Sequence, residues 1–267
     1  MEIDQLVAAV RAGSKYGAVC EDFIRNLGAR ELSKRGSLKE AVKATKNKLH
    51  QVAGVYLPGS LDYARWMAEL QAAAPSGEQA IRDVCARIMA CHVSSRERLG
   101  VLGDVYTTAL QGAGPVRRVL DVACGLNPLA LPWMCFPRGV EYVAYDIYED
   151  MMQFVDAALA VLGARGQASV RDVLASPPSG HFDLALVLKT IPCLEQVDKL
   201  AAVQLLEAID ADWLMVSFPV HSVGGRQKGM QRHYESHFRQ IVAGKPWQIL
   251  RYEFTSELIF MVRKKQL

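Results

Sequence analysis

Apolar positions in the first hundred residues recur at helical spacing, and beyond residue 115 they gather into short runs. Ile3, Leu6, Val7 and Val10 lie on one side of a first helix, and Ser14-Lys15-Tyr16 breaks it. A second helix is expected over 21–32. Ser37, with Glu40 three residues on, forms a capping box for a third helix over 38–52. On it Leu38, Val42, Thr45 and Leu49 share one side. Arg35, Lys39, Lys43, Lys46 and His50 follow the other at spacings of three and four. Turns at 57–60 and 75–77 introduce helices over 61–73, with Ser60 as its cap, and 78–91. No strand-like alternation precedes residue 115, so residues 1–103 are expected to form an all-helical domain.

From Arg117 the texture changes. Strand-like runs at 118–122, 142–145, 168–170, 184–188, 213–218, 248–254 and 258–262 alternate with helical stretches at 128–135, 148–162, 193–209 and 228–242. Repeated strand–helix units imply a parallel sheet covered on both faces. The last two runs are separated only by Thr255-Ser256-Glu257, which predicts a terminal antiparallel hairpin. The expected architecture is therefore α/β: a doubly wound, mostly parallel seven-stranded sheet over 104–267, preceded by the helical domain.

Composition adds limits. Of 267 residues, 51% are apolar and 22% charged, the balance of a soluble globular chain. No apolar run approaches the ~18 residues of a membrane span, and the acid-containing start does not resemble a signal peptide. A cytoplasmic protein is expected. Its six cysteines form no Cys-x-x-Cys or Cys-x-x-His pair, so reduced, mostly buried thiols are expected and no metal site. Net charge is only +3, but it is unevenly placed. Residues 30–50 carry seven Lys or Arg against two acids. Residues 226–239 carry Arg226, Lys228, Arg232 and Arg239 against Glu235 alone. Two such segments fit a face for a polyanion, and fit equally a solvated helix face and a charged loop.

The chemistry centres on Asp121-Val122-Ala123-Cys124-Gly125-Leu126-Asn127-Pro128. A buried run feeds a small-residue turn, then a Pro suited to a first helical turn, where backbone amides are free donors. The Gly-x-Gly-x-x-Gly of dinucleotide sites is missing. The turn suits a phosphate-free cofactor such as S-adenosylmethionine, or is a plain strand–helix connection. Asp146, at the end of the second strand and before Ile147, can accept both ribose hydroxyls or cap the next helix. Asp172, ending the third strand, can accept from an adenine amine, with Val173 packed on the ring. Lys189 is a cation at the edge where substrate should sit, followed by a Gly-rich, basic stretch over 217–230. Arg98 can pair bidentately with a cofactor carboxylate or form an interdomain salt bridge.

Taken together, His92-Val93-Ser94-Ser95-Arg96-Glu97-Arg98-Leu99, Asp121 to Ala130, Lys189-Thr190-Ile191-Pro192-Cys193-Leu194-Glu195, Ser217-Phe218-Pro219, Gly225-Arg226-Gln227-Lys228-Gly229-Met230 and Glu257-Leu258-Ile259-Phe260 closely resemble one family. It is that of the aminoglycoside-resistance 16S ribosomal RNA methyltransferases acting on N7 of guanine-1405. The match covers most of the chain, and Cys-Gly-Leu-Asn-Pro-Leu-Ala and Lys-Gly-Met are its specific strings. The resemblance implies a Rossmann-like methyltransferase sheet and S-adenosylmethionine as cofactor, held by Arg98, Ala123, Gly125, Asp146, Ile147, Asp172 and Val173. It implies that Lys189 and Arg226 serve the RNA; with Phe218, which beside Pro219 is expected to line the pocket of the flipped base, they are the expected catalytic residues. Lys15, Arg35, Lys39, Lys43, Lys46, Lys48 and Lys228 would contact RNA. The implied partner is 16S rRNA within the 30S subunit, with no DNA, membrane or metal, and a monomeric enzyme. At Val220-His221-Ser222-Val223 the chain departs from the family, which places a cation before the Ser. Guanine N7 carries an in-plane lone pair, so no general base is required, and a base within a helix must be unstacked to react. The alternatives are a methyltransferase of another rRNA site, a nearby adenine N1 included, and a non-catalytic ribosome-binding protein of this fold.

Overall fold

The computed structural model describes residues 2–57, 61–220 and 229–264. Three helices open the chain: α1 (Glu2–Arg11), α2 (Glu21–Leu32) and α3 (Leu38–Leu49). Gly28 lets α1 and α2 approach closely, since a Cβ there would lie 2.4 Å from Leu6 Cδ2. Ser37 caps α3 by accepting from the Glu40 amide at 3.3 Å. Ala41, Thr45 and Leu49 are buried along α3, while Lys39 and Lys43 stand exposed on it. The predicted continuation to residue 52 is not α-helical: the chain widens into a π-helical turn at His50–Gly54. Next come α4 (Tyr63–Ala73), a 3-10 turn, α5 (Glu78–Met89), α6 (Val93–Arg98) and α7 (Leu102–Ala109). Asp62 caps α4, its carboxylate accepting from the Arg65 amide at 3.0 Å; Ser60, expected in that role, lies outside the described residues.

The sheet is built from β1 (Arg118–Val122), β2 (Glu141–Asp146), β3 (Arg165–Val170), β4 (Phe182–Leu188), β5 (Ala211–Pro219), β6 (Gln248–Glu253) and β7 (Glu257–Arg263). Its order is β3-β2-β1-β4-β5-β7-β6. All pairs are parallel except β5 with β7 and β7 with β6, the expected terminal hairpin. Around it pack α8 (Glu149–Val161), α9 (Ile191–Val197), α10 (Ala201–Ala208) and α11 (Met230–Ile241). Two expectations fail locally. Residues 127–133 form 3-10 turns rather than an α-helix, because Pro132 inside the stretch removes a backbone donor and its ring clashes with the preceding turn. The single helix expected over 193–209 is two, broken where Asp198 turns extended and its carboxylate accepts from the Leu200 amide at 3.0 Å.

Alternation along the strands sorts the core into two layers. Val119, Tyr142, Leu184 and Met215 face one side, together with Leu6, Ile24, Ile88 and Val105 of the helices. Leu120, Val143, Ala185 and Leu214 face the other, against α10 and α11. The N-terminal helices thus share an apolar core with the sheet, and α7 runs through the expected boundary at 103/104. Residues 18–20 also hydrogen-bond to 147–149: the Cys20 amide donates to Ile147 O and the Glu149 amide to Ala18 O, both at 2.7 Å. That contact seats the helical segment at the carboxyl edge of the sheet. Among the described residues no helix is long and apolar enough to cross a membrane.

Candidate functional site

A cleft opens at that edge, between the ends of β1, β2, β3 and β4 and the segment from Val52 to Leu57. It encloses about 830 Å³, counting its open mouth. Ala123, Asp146, Ile147, Asp172, Val173 and Lys189 all line it. Six residues expected at a common site, drawn from four different strand ends, therefore converge.

The turn after β1 is shaped by backbone demands. Ala123 and Gly125 both have φ near +51°, a left-handed conformation that costs any side chain about 1 kcal/mol. A Cβ on Gly125 would also lie 2.8 Å from the His92 ring. The Gly125 amide donates to Asp146 at 2.9 Å and the Ile147 amide to its other oxygen at 2.7 Å. Burial nevertheless raises the Asp146 carboxyl above its ordinary value, against these amides. Asp172 accepts from Asn26 of α2 at 2.9 Å and from the Leu174 and Ala175 amides. Both carboxylates keep lone pairs for a ligand's hydroxyl or amine donors.

The opposite wall was not expected. Val52 and Ala53 of the π-helical turn, and Tyr56 and Leu57 after it, line the cleft together with His92 and Cys193. Tyr56 stacks on His92 at 5.9 Å, and its hydroxyl meets Cys193 Sγ at 3.1 Å. Burial pushes His92 down to about 4, aided by the Arg98 and Lys189 charges, so the ring is neutral at physiological pH. Burial likewise pushes the Cys193 thiol up. No spacing rule marks Tyr56; only the chain path past residue 50 brings it here. The cysteines are all free, with Cys20, Cys85 and Cys124 buried, Cys91 and Cys193 half-buried and Cys135 exposed, fewer buried than expected.

Lys189 is buried, with φ +56° and its amide on Ser217 O at 3.0 Å. Its ammonium donates to Glu97 at 2.7 Å and to Ser94 O at 3.4 Å. Arg98, one residue along, is 1% exposed and clamps Glu257 of β7 with two bonds of 2.6 Å, while Nη1 donates to Asn127 at 2.7 Å. Of the two partners open to Arg98, the structure gives it the salt bridge, and its side chain is not among those lining the cleft. Burial alone would raise the Glu257 carboxyl, but the Arg98 and Lys189 charges and the Ser217 hydroxyl hold it below its ordinary value. Asn127 also accepts from Tyr106 at 2.7 Å and donates to Asp121 at 2.8 Å. Asp121 accepts from Tyr142 at 2.7 Å, leaves its other oxygen without a partner, and is pushed by burial up to about 6.

Phe218 is a correction. It is fully buried among Tyr234, Phe238 and Phe260 and does not line the cleft. Alternation along β5 turns it, with Leu214 and Val216, into the core layer under α11. Of the expected RNA contacts, Lys15, Arg35, Lys39 and Lys43 are exposed and Lys46 half-buried. Arg35 pairs with Glu31 at 3.1 Å, Lys15 with His50 at 3.0 Å, and Lys48 donates to Gln196 O at 2.9 Å. Arg226 and Lys228 lie outside the described residues.

Among the described residues the cleft shows no cradle for phosphate. Its cations are engaged, Lys189 by Glu97 and Arg171 over the Tyr145 ring at 4.3 Å, and two carboxylates face it. The residues therefore fit a cationic, phosphate-free nucleoside.

Comparison with known proteins agrees. Residues 12–261 match the model of the family described as ribosomal RNA methyltransferase (FmrO). A 16S rRNA (guanine(1405)-N(7))-methyltransferase of Micromonospora echinospora is 36% identical, covering 98% of this chain and 97% of that one. One of the same description from Frankia casuarinae is 38% identical over 98% and 94%. Among solved structures, the 16S rRNA methyltransferase RmtF in complex with S-adenosyl-L-homocysteine is similar at a TM-score of 0.84 and 27% identity, covering 99% and 98% of the two chains. The 16S rRNA methylase RmtB follows at 0.79 and 27%, covering 98% of each.

Proposed function

The chain belongs to the ribosomal RNA methyltransferase family of FmrO, and from that premise we propose that it methylates N7 of guanine-1405 in 16S rRNA. It uses S-adenosylmethionine and thereby confers aminoglycoside resistance. When bound, that cofactor supplies an electrophilic methyl group on a sulfonium. Asp146 is the acceptor for ribose hydroxyls, with Asp172 and Val173 framing the adenine and Ala123, Gly125 and Ile147 shaping the turn around it. Arg98, through its charge, serves the methionine carboxylate end as well as its salt bridge to Glu257. The observation that carries the reading is the convergence of Asp146, Asp172 and Val173 on one cleft that, among the described residues, has no phosphate cradle.

N7 of guanine is nucleophilic at neutral pH, so these residues need not remove a proton. Their work is to orient the base, exclude water and set the field around the reacting atoms. His92, held neutral, adds no charge opposing a sulfonium. Lys189 and Arg226 serve the RNA. The helical segment, residues 1–103, docks the substrate through Lys15, Arg35, Lys39, Lys43, Lys46 and Lys48, joined by Lys228, and residues 104–267 carry the chemistry. Recognition of this kind rests on RNA shape and backbone. The substrate is the 30S subunit, and the enzyme works in the cytoplasm as a monomer.

The test is transfer of labelled methyl to 30S subunits and to free 16S rRNA, followed by mapping of the modified base. Label on N7 of guanine-1405 is the expected result. Label elsewhere, or none, overturns the reading. Aminoglycoside susceptibility of a host expressing the chain gives an independent readout.

A further inference from the structure

Burial of Phe218 leaves open which aromatic surface receives the target base. One ring at the same end of β5 is only half-buried: Tyr234, on the second turn of α11. It stacks on Phe218 with centroids 5.0 Å apart at 26°, and Phe218 rests in turn on Phe238 and Phe260. Tyr234 therefore caps a rigid aromatic stack anchored in the core. Its phenol is raised by burial and then by the nearby Cys193 and Glu195 groups. Tyr234 is not itself among the residues lining the cleft; Cys193, whose group acts on its phenol, is.

A carboxylate stands at the same place. Glu195 is on α9, which supplies Cys193, Leu194 and Val197 to the cleft wall. Its side chain is 15% exposed, and both oxygens meet His237 Nε2, at 2.7 and 2.8 Å. His237 lies three residues after Tyr234, on the same face of α11. One helix thus presents the ring and fixes the carboxylate. No ion pair to Lys or Arg occupies Glu195 among the described residues.

We propose that Tyr234 and Glu195 form the slot for the extruded guanine, with Tyr234 stacking on the base, Glu195 reading its N1–H and N2–H donors, and His237 positioning Glu195. This rests on the proposed function. The chemistry is selective. Guanine offers two adjacent donors on its Watson–Crick edge, which match a carboxylate fork. Adenine offers an acceptor at N1, which faces the same carboxylate unpaired. N7 lies on the opposite edge of the purine, so a base gripped at N1 and N2 directs N7 away from Glu195. The stacking contact supplies binding that is independent of base identity.

The experiment measures methyl transfer to 30S subunits carrying guanine or adenine at position 1405, for the wild type and for Y234F, Y234A, Y234L, E195Q, H237A and H237Q. Cofactor affinity by calorimetry and thermal midpoints are followed in parallel. Wild-type transfer to guanine-1405 must be present first; its absence refutes the proposed function and not the slot. Y234A and Y234L are expected to lower kcat on guanine by about 5- to 150-fold, the worth of one base stack. Y234F, which keeps the ring, should recover most of the loss seen in Y234A and Y234L. E195Q should narrow the guanine-over-adenine preference at least about tenfold, the loss of one discriminating contact. H237A should do the same, and H237Q, which keeps a donor nitrogen, should restore part of the preference. Cofactor affinity should be unchanged throughout. An unchanged preference in E195Q overturns the proposal, and so does wild-type kcat in both Y234A and Y234L. Loss of cofactor affinity parallel to kcat in both Tyr234 variants overturns it too, by making the ring a structural element of the cleft.

Discussion

Substitution of Glu257 by Ala tests the account of the buried network most severely. Arg98 and Glu257 are 1% and 0% exposed, and the guanidinium is spent on two 2.6 Å bonds to the carboxylate and one to Asn127. Removing the carboxylate strands a guanidinium out of reach of water, and such a break costs about 3–5 kcal/mol. In a chain of this size each kcal/mol lowers the midpoint by about 2–4 °C, so a fall of about 6–20 °C is expected. Urea unfolding supplies the free energy, and an unchanged slope shows that the native state alone was perturbed. The double variant R98M/E257L removes both charges and fills their volume, so it should recover most of the loss. A loss under about 1 kcal/mol for E257A, or a double variant no better than the single, refutes the reasoning. Calorimetry on the double variant separates the two duties of Arg98. Retained cofactor affinity leaves it the salt bridge alone; a loss of tenfold or more (about 1.4 kcal/mol) adds the methionine carboxylate.

Three further outcomes are expected. D146A should abolish cofactor binding in calorimetry, and an unchanged affinity would sink the ribose assignment. K39E/K43E/K46E should weaken 30S binding and flatten its salt dependence while leaving cofactor affinity intact; if both affinities fall together, the stripe is structural. Asp121 is pushed by burial up to about 6 from an ordinary 3.8. The folded protein then binds this proton more tightly than the unfolded chain, so the group's contribution is full below pH 3.8 and is lost as pH rises through about 6, a change of about 3 kcal/mol. D121N removes that dependence, so its stability relative to wild type should rise between pH 4 and 7; a flat difference across that range contradicts the burial argument.

Periodicity alone placed nearly every strand, because in a sheet buried on both faces each strand is a short apolar run bounded by turn residues. β1 was expected over the residues where it lies, and β4 and β7 to within two residues at either end. The strand-end side of the cleft was legible for the same reason: its residues sit at strand ends, and a parallel sheet brings strand ends to one edge. Ala123, Asp146, Ile147, Asp172 and Val173 needed no tertiary information beyond that topology.

What lies across from them was invisible in the chain. Tyr56 and His92 enter the cleft because α3 ends in a π-helical turn and because residues 18–20 pair with 147–149. No local propensity encodes either contact. Burial of charge is equally nonlocal: the Arg98 guanidinium is held by Glu257, a residue 159 positions away. Phe218 was misplaced since a strand of period two assigns faces only relative to its neighbours. Which face held the core was settled by α11, whose packing seals Phe218 and leaves Tyr234 half-buried. The chain's own pattern determined the sheet, the turn after β1 and the chemistry of the strand ends, through short-range sterics and hydrophobic periodicity. Only the tertiary structure decided which polar groups meet, since that depends on the mutual burial of segments far apart in sequence.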